Sequence, residues 1–575
     1  MTFNELKRLS KKSATGSARA SAALLGDTPT QFMAAALKAT FALKGETLDL
    51  YEAPYSQIDF ELFGKNSPLK KLSPEYIIIF QSAQKLMQLH AACGVPERKK
   101  LAAARRGFIK KACAKFSRSK IICLNYAEID DGVFGSHACK EESSFSYQAR
   151  KLNFLLCELA AKTPNLRICD IAAAQSKIGG EKFFAPALYA SAEIAIAPDA
   201  LPQICEKIYA IAAADFGKAK KCAVLDLDNF LWGGTVGDDG AENLQISSGL
   251  GIGRAFADIQ RWCKKLKERG VILAACSKND EAAAKEPFLK LPDMVLKLGD
   301  FSKFVANWRP KSENIARIAR ELNISADSIV FLDDSPAERA EVRKNLPEVC
   351  VPELPGDPAL FLDFLSDANL FETAEVSNED AMRSKFYADE EERKSLSKSF
   401  GSYDAFLKGL EMSALAEPFG KLNAPRVAQL LQRTNQFNMR TKRYSQSEIL
   451  EFAADKNFQT FAFSLSDKIG ASGIVAAAVL RAISPEEIFI DTFAMSCRAF
   501  GRGLEFFAFN KILESAKSRG FKRISAEFIP TAKNKIAADF YLKLGFAQIG
   551  ESGGAKKFAL ETKAAKPVKT FIKEQ

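Results

Sequence analysis

The chain has 575 residues, with 81 Lys plus Arg against 70 Asp plus Glu and a formal net charge of +11. At 47% apolar and 26% charged residues it has a globular composition, which excludes disordered, collagen-like and coiled-coil classes. The length predicts roughly three to four domains, and no apolar run approaches the roughly 18 residues of a membrane span.

The N-terminus, MTFNELKRLSKK, is charged and lacks the apolar core of a secretory signal, so a cytoplasmic protein with no membrane partner is expected. Residues 1–218 alternate helical patterns with the apolar runs Tyr76–Phe80, Ile121–Leu124 and Leu166–Ile171, as a layered α/β domain requires. Between Arg98 and Lys120, ten of 23 residues are Lys or Arg, while Leu101, Ala104, Phe108, Ala112 and Phe116 recur at helical spacing. This amphipathic basic helix is either a solvated face or a docking surface for an acidic partner such as a carrier protein. No nucleic-acid motif accompanies the charge, so nucleic acid is not expected.

A second domain, residues 219–371, opens on the apolar strand Cys222–Leu227. Residues 372–400 are highly charged and predict a helical connector. The last domain, residues 401–565, has strands near Phe458–Ser464, Ile474–Leu480, Ile488–Phe493 and Arg523–Ile529, with residues 566–575 as a basic, frayed tail. The 12 cysteines are scattered without a CxxC pair, which predicts reduced thiols rather than disulfides or a zinc site. The two histidines are His90 and His137, so catalysis in the later domains must use carboxylates, lysines, thiols, hydroxyls or amides.

The strongest signal is Val224-Leu-Asp226-Leu-Asp228-Asn-Phe-Leu-Trp-Gly-Gly234. An apolar strand delivers two aspartates at its C-terminal end, where α/β sheets put their ligands. One carboxylate can attack a phosphoryl group while the other exchanges a proton with the leaving group or water. Such an acidic cluster facing a phosphate needs a cation, and oxygen ligands without histidine point to Mg²⁺. Two aspartates so spaced also read as turn residues, but three further motifs follow in order. Val271–Cys276 ends in Ser277-Lys278-Asn279, which can hold phosphate oxygens; Asn307-Trp-Arg-Pro-Lys311 supplies an ammonium; Ser328–Leu332 ends in Asp333-Asp334, which return carboxylates to the metal.

The runs VLDLDNFLWGGTVGDDG, LAACSKND, NWRPKSENI and VFLDDSPAERAEVR resemble the FkbH-like branch of the haloacid dehalogenase (HAD) phosphotransferases, and the resemblance extends over nearly the whole chain. It implies an SGNH- or flavodoxin-like α/β N-terminal domain, non-catalytic here for want of a nucleophile motif, and a central HAD-type Rossmannoid domain. Asp226 would be the phosphoryl-accepting nucleophile and Asp228 the general acid/base. Ser277 and Lys311 would hold phosphate, and Asp226, the Asp228 backbone carbonyl, Asp333 and Asp334 would bind Mg²⁺. The family usually has Thr where this chain has Phe230, a lost hydrogen bond worth on the order of 1.5–3 kcal/mol. Some members move a glyceryl group from 1,3-bisphosphoglycerate to the thiol of an acyl carrier protein, which makes such a protein the expected partner. Cys276, before Ser277, is either a thiol that holds the acyl group or a buried core residue.

Ser496-Cys-Arg498-Ala-Phe-Gly501-Arg502-Gly503 follows a strand and opens a helix, as a pyrophosphate turn does. With Asn534 and Tyr541 downstream it looks like the coenzyme A segments of an α+β GNAT acetyltransferase. Arg498, Gly501, Arg502 and Gly503 would then cradle the pyrophosphate of acetyl-CoA or a phosphopantetheine arm. Asn534 would contact the arm, and Tyr541 would protonate the leaving thiolate. The polar, basic stretch Leu430–Tyr444 suits a loop gripping that arm. The expected enzyme removes phosphate from a small phosphorylated acyl donor and loads the acyl group onto a carrier thiol. One alternative is a phosphatase fused to an N- or O-acetyltransferase acting on sugars or surface polysaccharide; another is a non-enzymatic carrier-binding scaffold.

Overall fold

The computed structural model describes residues 1–11, 19–374, 376, 383–531 and 533–575. The chain forms two compact units, Met1–Ala213 and Ala214–Gln575. Among the described residues no helix is long and apolar enough to cross a membrane.

In the first unit, β1 (Arg19–Gly26), β2 (Thr47–Glu52), β3 (Tyr76–Phe80), β4 (Lys120–Leu124) and β5 (Leu166–Cys169) form one parallel sheet in the order β2-β1-β3-β4-β5. β3 is a continuous apolar run because it is buried along its whole length. Strand order reverses between β1 and β3, where such sheets open a crevice. A cleft of about 200 Å³ there is lined by Asp27, Ser56, Gln81, Lys85, Arg105 and Tyr126, among others. Burial pushes the Asp27 carboxyl up to about 6, against the opposing hydrogen bond from the Ser82 amide.

The basic helix runs Leu101–Lys115, but its buried side is Leu101, Ala102, Ile109, Ala112 and Cys113. Ala104 is exposed and Phe108 only half-buried, so the expected apolar face is turned part of a rotation from the real one. His90 is buried, with Nε2 2.7 Å from the Ser143 carbonyl, and His137 is exposed on a turn.

The second unit holds two sheets, so the two later domains read from sequence share one compact body. The first sheet is parallel, β8-β7-β6-β9, built from β6 (Cys222–Leu225), β7 (Ile272–Ser277), β8 (Lys303–Ala306) and β9 (Ile329–Leu332). Successive residues of β6 face opposite ways: Ala223 and Leu225 enter one apolar core, Cys222 and Val224 the other.

The second sheet has nine strands: β10 (Ser413–Glu417), β11 (Phe437–Asn438), β12 (Phe458–Ser466), β13 (Ala471–Ala482), β14 (Glu487–Met495), β15 (Arg523–Phe528), β16 (Ala547–Ser552), β17 (Ala555–Glu561) and β18 (Lys573–Glu574). Their order is β16-β17-β15-β14-β13-β12-β10-β18, with β11 added on β14. β14 and β15 are parallel, which requires the crossover helix Leu504–Ser518 between them. The expected frayed tail is corrected: β18 pairs with Ser413 and Ala414, and Ile572 is buried in the core. The connector forms a helix, Arg383–Ser397, whose Arg393 is buried against Asp467 at 2.8 Å; residues 375 and 377–382 of that prediction lie outside the described residues.

Candidate active site

Adjacent strands β6, β7 and β9 end side by side and deliver Asp226, Ser277 and Asp333-Asp334 to one edge of the sheet. Lys311, the first residue of the helix Lys311–Glu321, reaches into the same place and is 2% exposed. Its Nζ lies 2.9 Å from Asp226 Oδ2 and 2.5 Å from Asp333 Oδ2. Asp226, Asp333 and Asp334 each offer an oxygen within 4.8 Å of the others. Three converging carboxylates, with no nitrogen or sulfur ligand among the described residues, fit Mg²⁺, a hard cation that prefers oxygen. The Asp228 carboxylate is not part of this trio.

The electrostatics follow from burial. Desolvation raises the Asp226 and Asp334 carboxyls and pushes Asp333 up to about 6, with each carboxylate's neighbours adding repulsion and Lys311 opposing it. Burial works against the Lys311 charge, but Asp226 and Asp333 outweigh it and hold the ammonium above its ordinary value. The site is one cation among three carboxylates, a deficit that a divalent ion would fill.

Asp228 is oriented by three donors. Trp232 Nε1 and the Val236 amide donate to Oδ1 at 2.8 and 3.1 Å, and Asn279 Nδ2 donates to Oδ2 at 3.1 Å. Asn229 at φ +55° turns the chain directly after it, a conformation asparagine tolerates better than most residues. Asn279, expected to hold phosphate, therefore spends its amide on Asp228. Trp232 was not legible as a site residue. Nor was Arg339, whose Nη1 donates to the Asp333 and Asp334 carbonyls at 2.8 and 2.7 Å and fixes their turn. Its signal lay in the spacing of DDSPAER, where a helix starting at Pro336 carries the guanidinium back over the carboxylates.

Two expectations are corrected here. Cys276 is fully buried, its Sγ is 4.0 Å from the Lys311 carbonyl, and burial pushes the thiol up to about 12, so no thiolate is available to hold an acyl group. Lys278 turns to Glu338 at 2.6 Å, which leaves Lys311 as the cation facing the carboxylates and Ser277, buried at the end of β7, beside it. Phe230 is fully buried and stacks on Phe361 with ring centroids 5.9 Å apart, so it serves the core rather than the carboxylate loop.

In the C-terminal half, Gly501 and Gly503 take φ of +73° and +78° and bring the chain into the helix Leu504–Ser518. Its N-cap has no side-chain hydrogen bond, so the first-turn amides suit an anion. Three side chains expected around the coenzyme are otherwise engaged. Arg502 is buried and donates to Asp467 at 3.0 Å, to Ser472 at 3.2 Å and to the Arg498 carbonyl of the turn itself. Arg498 lies over the Phe386 ring at 5.2 Å. Asn534 is fully buried and donates to the Asn438 and Ile529 carbonyls at 3.0 and 2.9 Å. Tyr541 is 1% exposed, and its hydroxyl has no hydrogen-bond partner among the described residues. Leu430–Tyr444 is not an open loop, because it contributes β11 to the sheet.

This arrangement defines a phosphatase-type site and an acetyltransferase-type domain on one polypeptide. Family models match in two places: FkbH, N-terminal domain, over residues 21–213, and the acetyltransferase (GNAT) family over residues 425–546. Among solved structures, the N-terminal part of the protein BF1531 from Bacteroides fragilis, containing a phosphatase domain complexed with Mg, is 46% identical. That match covers 65% of this chain and 100% of the other, with a TM-score of 0.63. The ribosomal-protein-S18-alanine N-acetyltransferase from Escherichia coli is 16% identical over 26% of this chain and 94% of its own, with a TM-score of 0.21. Ard1 from Thermoplasma volcanium is 19% identical over 26% and 97%, with a TM-score of 0.22. No curated protein matches. The chain belongs to the FkbH-like family and carries a GNAT acetyltransferase domain. It is therefore an enzyme, and the scaffold alternative is set aside.

Proposed function

We propose that the enzyme dephosphorylates a small phosphorylated acyl donor, such as 1,3-bisphosphoglycerate, and loads its acyl group onto the thiol of an acyl carrier protein. The observation that carries this reading is the Asp226–Asp333–Asp334 cluster around Lys311, beside Ser277. A donor of this class has two phosphates, and the chemistry treats them differently. At the phosphate ester, an Asp226 oxygen attacks phosphorus and the bond to the leaving oxygen breaks, with Asp228 supplying the proton. Asp228 then takes a proton from the water that cleaves the aspartyl phosphate.

At the acyl phosphate the same attack would release a carboxylate and lose the activated acyl group. Loading instead requires the carrier's thiolate to attack the carbonyl carbon, so that the C–O bond breaks and phosphate departs with the electron pair. Lys311 and Ser277 would hold a phosphate in either event. Because Cys276 is sealed in the core, the acceptor thiol must come from outside this site. Asp226, Asp333 and Asp334 would hold Mg²⁺, which when bound would neutralise phosphate charge; the Asp228 backbone carbonyl is the fourth proposed ligand.

The N-terminal domain belongs to this reading as an SGNH- or flavodoxin-like docking module, a view supported by its strand order and basic helix. So do the domain limits at about residues 218, 371, 400 and 565, and a cytoplasmic location, where the 12 unpaired thiols would stay reduced. The GNAT match favours a second reading, a phosphatase joined to an N- or O-acetyltransferase in sugar or surface-polysaccharide synthesis. The test combines 1,3-bisphosphoglycerate, Mg²⁺ and a pantetheinylated carrier protein, with Asp226→Asn as control. A glyceryl mass increment on the carrier, absent in the mutant, is expected. Phosphate release without carrier modification would favour the second reading.

A further inference from the structure

We propose that Phe437–Arg440 is a strap lying in the thioester slot of the C-terminal domain, which must leave before a pantetheine arm can enter. The proposal rests on reading this domain as one that binds coenzyme A or a carrier's phosphopantetheine.

β14 and β15 stay paired only from Glu487 opposite Arg523 to Ile490 opposite Ala526. Parallel strands that part leave amides and carbonyls in need of partners. An extended arm with two amide groups can meet them as an added strand does. Here the chain supplies its own strand. Phe437 pairs with Met495 and Asn438 with Ala494 in antiparallel sense. The Met439 amide then donates to the Phe493 carbonyl at 3.3 Å, and its carbonyl accepts from the Ile529 amide at 2.8 Å, so one residue bridges the parted strands. Asn534 holds the Asn438 carbonyl.

The side chains close the slot as well. The Phe437 ring is buried with centroids 5.8 Å from Phe493, 6.0 Å from Phe500 in the glycine turn and 5.1 Å from Phe540. Arg440 donates to Glu527 and to Asp491 Oδ1, each at 2.8 Å.

Two independent features mark the strap as replaceable. Among the described residues the buried Tyr541 hydroxyl has no partner while the strap is in place; a polar arm would give it one. Directly after the strap, Thr441 takes φ +55°, which is strained for a β-branched residue, and its buried hydroxyl also has no partner among the described residues. Release of the strap relieves both.

The experiment is amide hydrogen exchange on the full-length chain with and without saturating acetyl-CoA, together with calorimetric titration of acetyl-CoA into wild type, Phe437→Ala and Arg440→Ala. In wild type, acetyl-CoA should accelerate exchange at Met439 while Ile529 stays protected by its new partner. Both variants should bind acetyl-CoA at least about tenfold more tightly than wild type, since a slot open only part of the time weakens apparent affinity by that fraction. Wild-type binding with Met439 still protected, equal affinity in all three proteins, or binding by none would each overturn the proposal. If Phe437→Ala misfolds, the wild-type exchange pattern and Arg440→Ala still decide it. Phosphate release depends on none of these residues, so the strap and the proposed function can fail separately.

Discussion

Replacing Lys311 with methionine removes the only ammonium that, among the described residues, touches the buried carboxylate cluster, while keeping most of the side-chain volume. In the wild type that ammonium lies 2.9 Å from Asp226 and 2.5 Å from Asp333. Breaking a buried pair by deleting one partner costs about 3–5 kcal/mol. Even with Lys311 present, burial and the neighbouring Asp226 push the Asp333 carboxyl up to about 6 from its ordinary 3.8. Between those two values the native state binds more protons than the unfolded chain, so this group makes stability fall as pH rises through the window. Without Lys311 the window should extend upward, because Asp226 and Asp333 lose their counter-charge.

Urea unfolding followed by tryptophan fluorescence suits the test, since Trp232, Trp262 and Trp308 all lie in the second unit. In EDTA at about pH 7.5 the variant should lose about 3–5 kcal/mol, shrinking to about half near pH 5 as the carboxylates protonate. Mg²⁺ should restore part of the loss at the higher pH, because the ion replaces the missing charge. A loss below about 1 kcal/mol at pH 7.5, or an equal loss at both pH values, would refute the view that Lys311 neutralises a buried acidic cluster.

Trp232→Phe should slow phosphate release by roughly one to two orders of magnitude with KM nearly unchanged, since it removes one charge-assisted hydrogen bond worth about 1.5–3 kcal/mol from Asp228; steady-state kinetics checks this. Phe230→Thr restores the family's usual hydroxyl but empties a packed site, so thermal melting should show a loss of about 3 kcal/mol or more and kinetics no gain in turnover. Cys276→Ala should leave phosphate release intact, and in native wild type iodoacetamide should label exposed Cys139 and Cys157 but not Cys276, as read by peptide mass. Deleting Phe571–Gln575 should lower stability, because it strips β18 and the buried Ile572, and urea unfolding would show it.

The strands that could be read from sequence were those whose apolar runs lie between helical layers. Tyr76–Phe80 is observed at the predicted bounds, and the strands now numbered β12 to β15 contain or nearly contain the predicted ones. β1 and β2 escaped because their fit to a sheet comes from burial, not composition: RASAALLG is rich in alanine, a weak strand former, and TLDLYE carries three exposed positions on a sheet edge. The C-terminal tail misled for a related reason. Its lysines read as solvated, yet Ile572, with Val568 and Phe571 packed against the same core, and two backbone pairs with β10 tie it down. The basic helix, Leu101–Lys115, is shorter than the Arg98–Lys120 segment read from sequence and buries another face, since a spacing of four residues drifts around a helix of 3.6 residues per turn.

The candidate site divides along the same line. Asp226, Ser277, Lys311, Asp333 and Asp334 were legible because strand ends and helix starts are local in sequence, and a parallel sheet brings them to one edge. Where a side chain goes is decided by partners that no motif contains. Arg502 sits in a glycine-rich turn, yet its guanidinium answers to Asp467, 35 residues earlier, which also holds Arg393. Asn534 has the place of a coenzyme contact, but its amide is taken by the carbonyl of Asn438, 96 residues earlier. Cys276 has the position of a nucleophile and the burial of a core residue, and burial prevails because a thiolate there would have to form in a desolvated environment that Lys311 alone does not offset. In each case the motif fixes the backbone path, while the long-range partner fixes the chemistry. The glycine turn can therefore keep its anion-binding amides even though the arginine beside them has turned to a carboxylate.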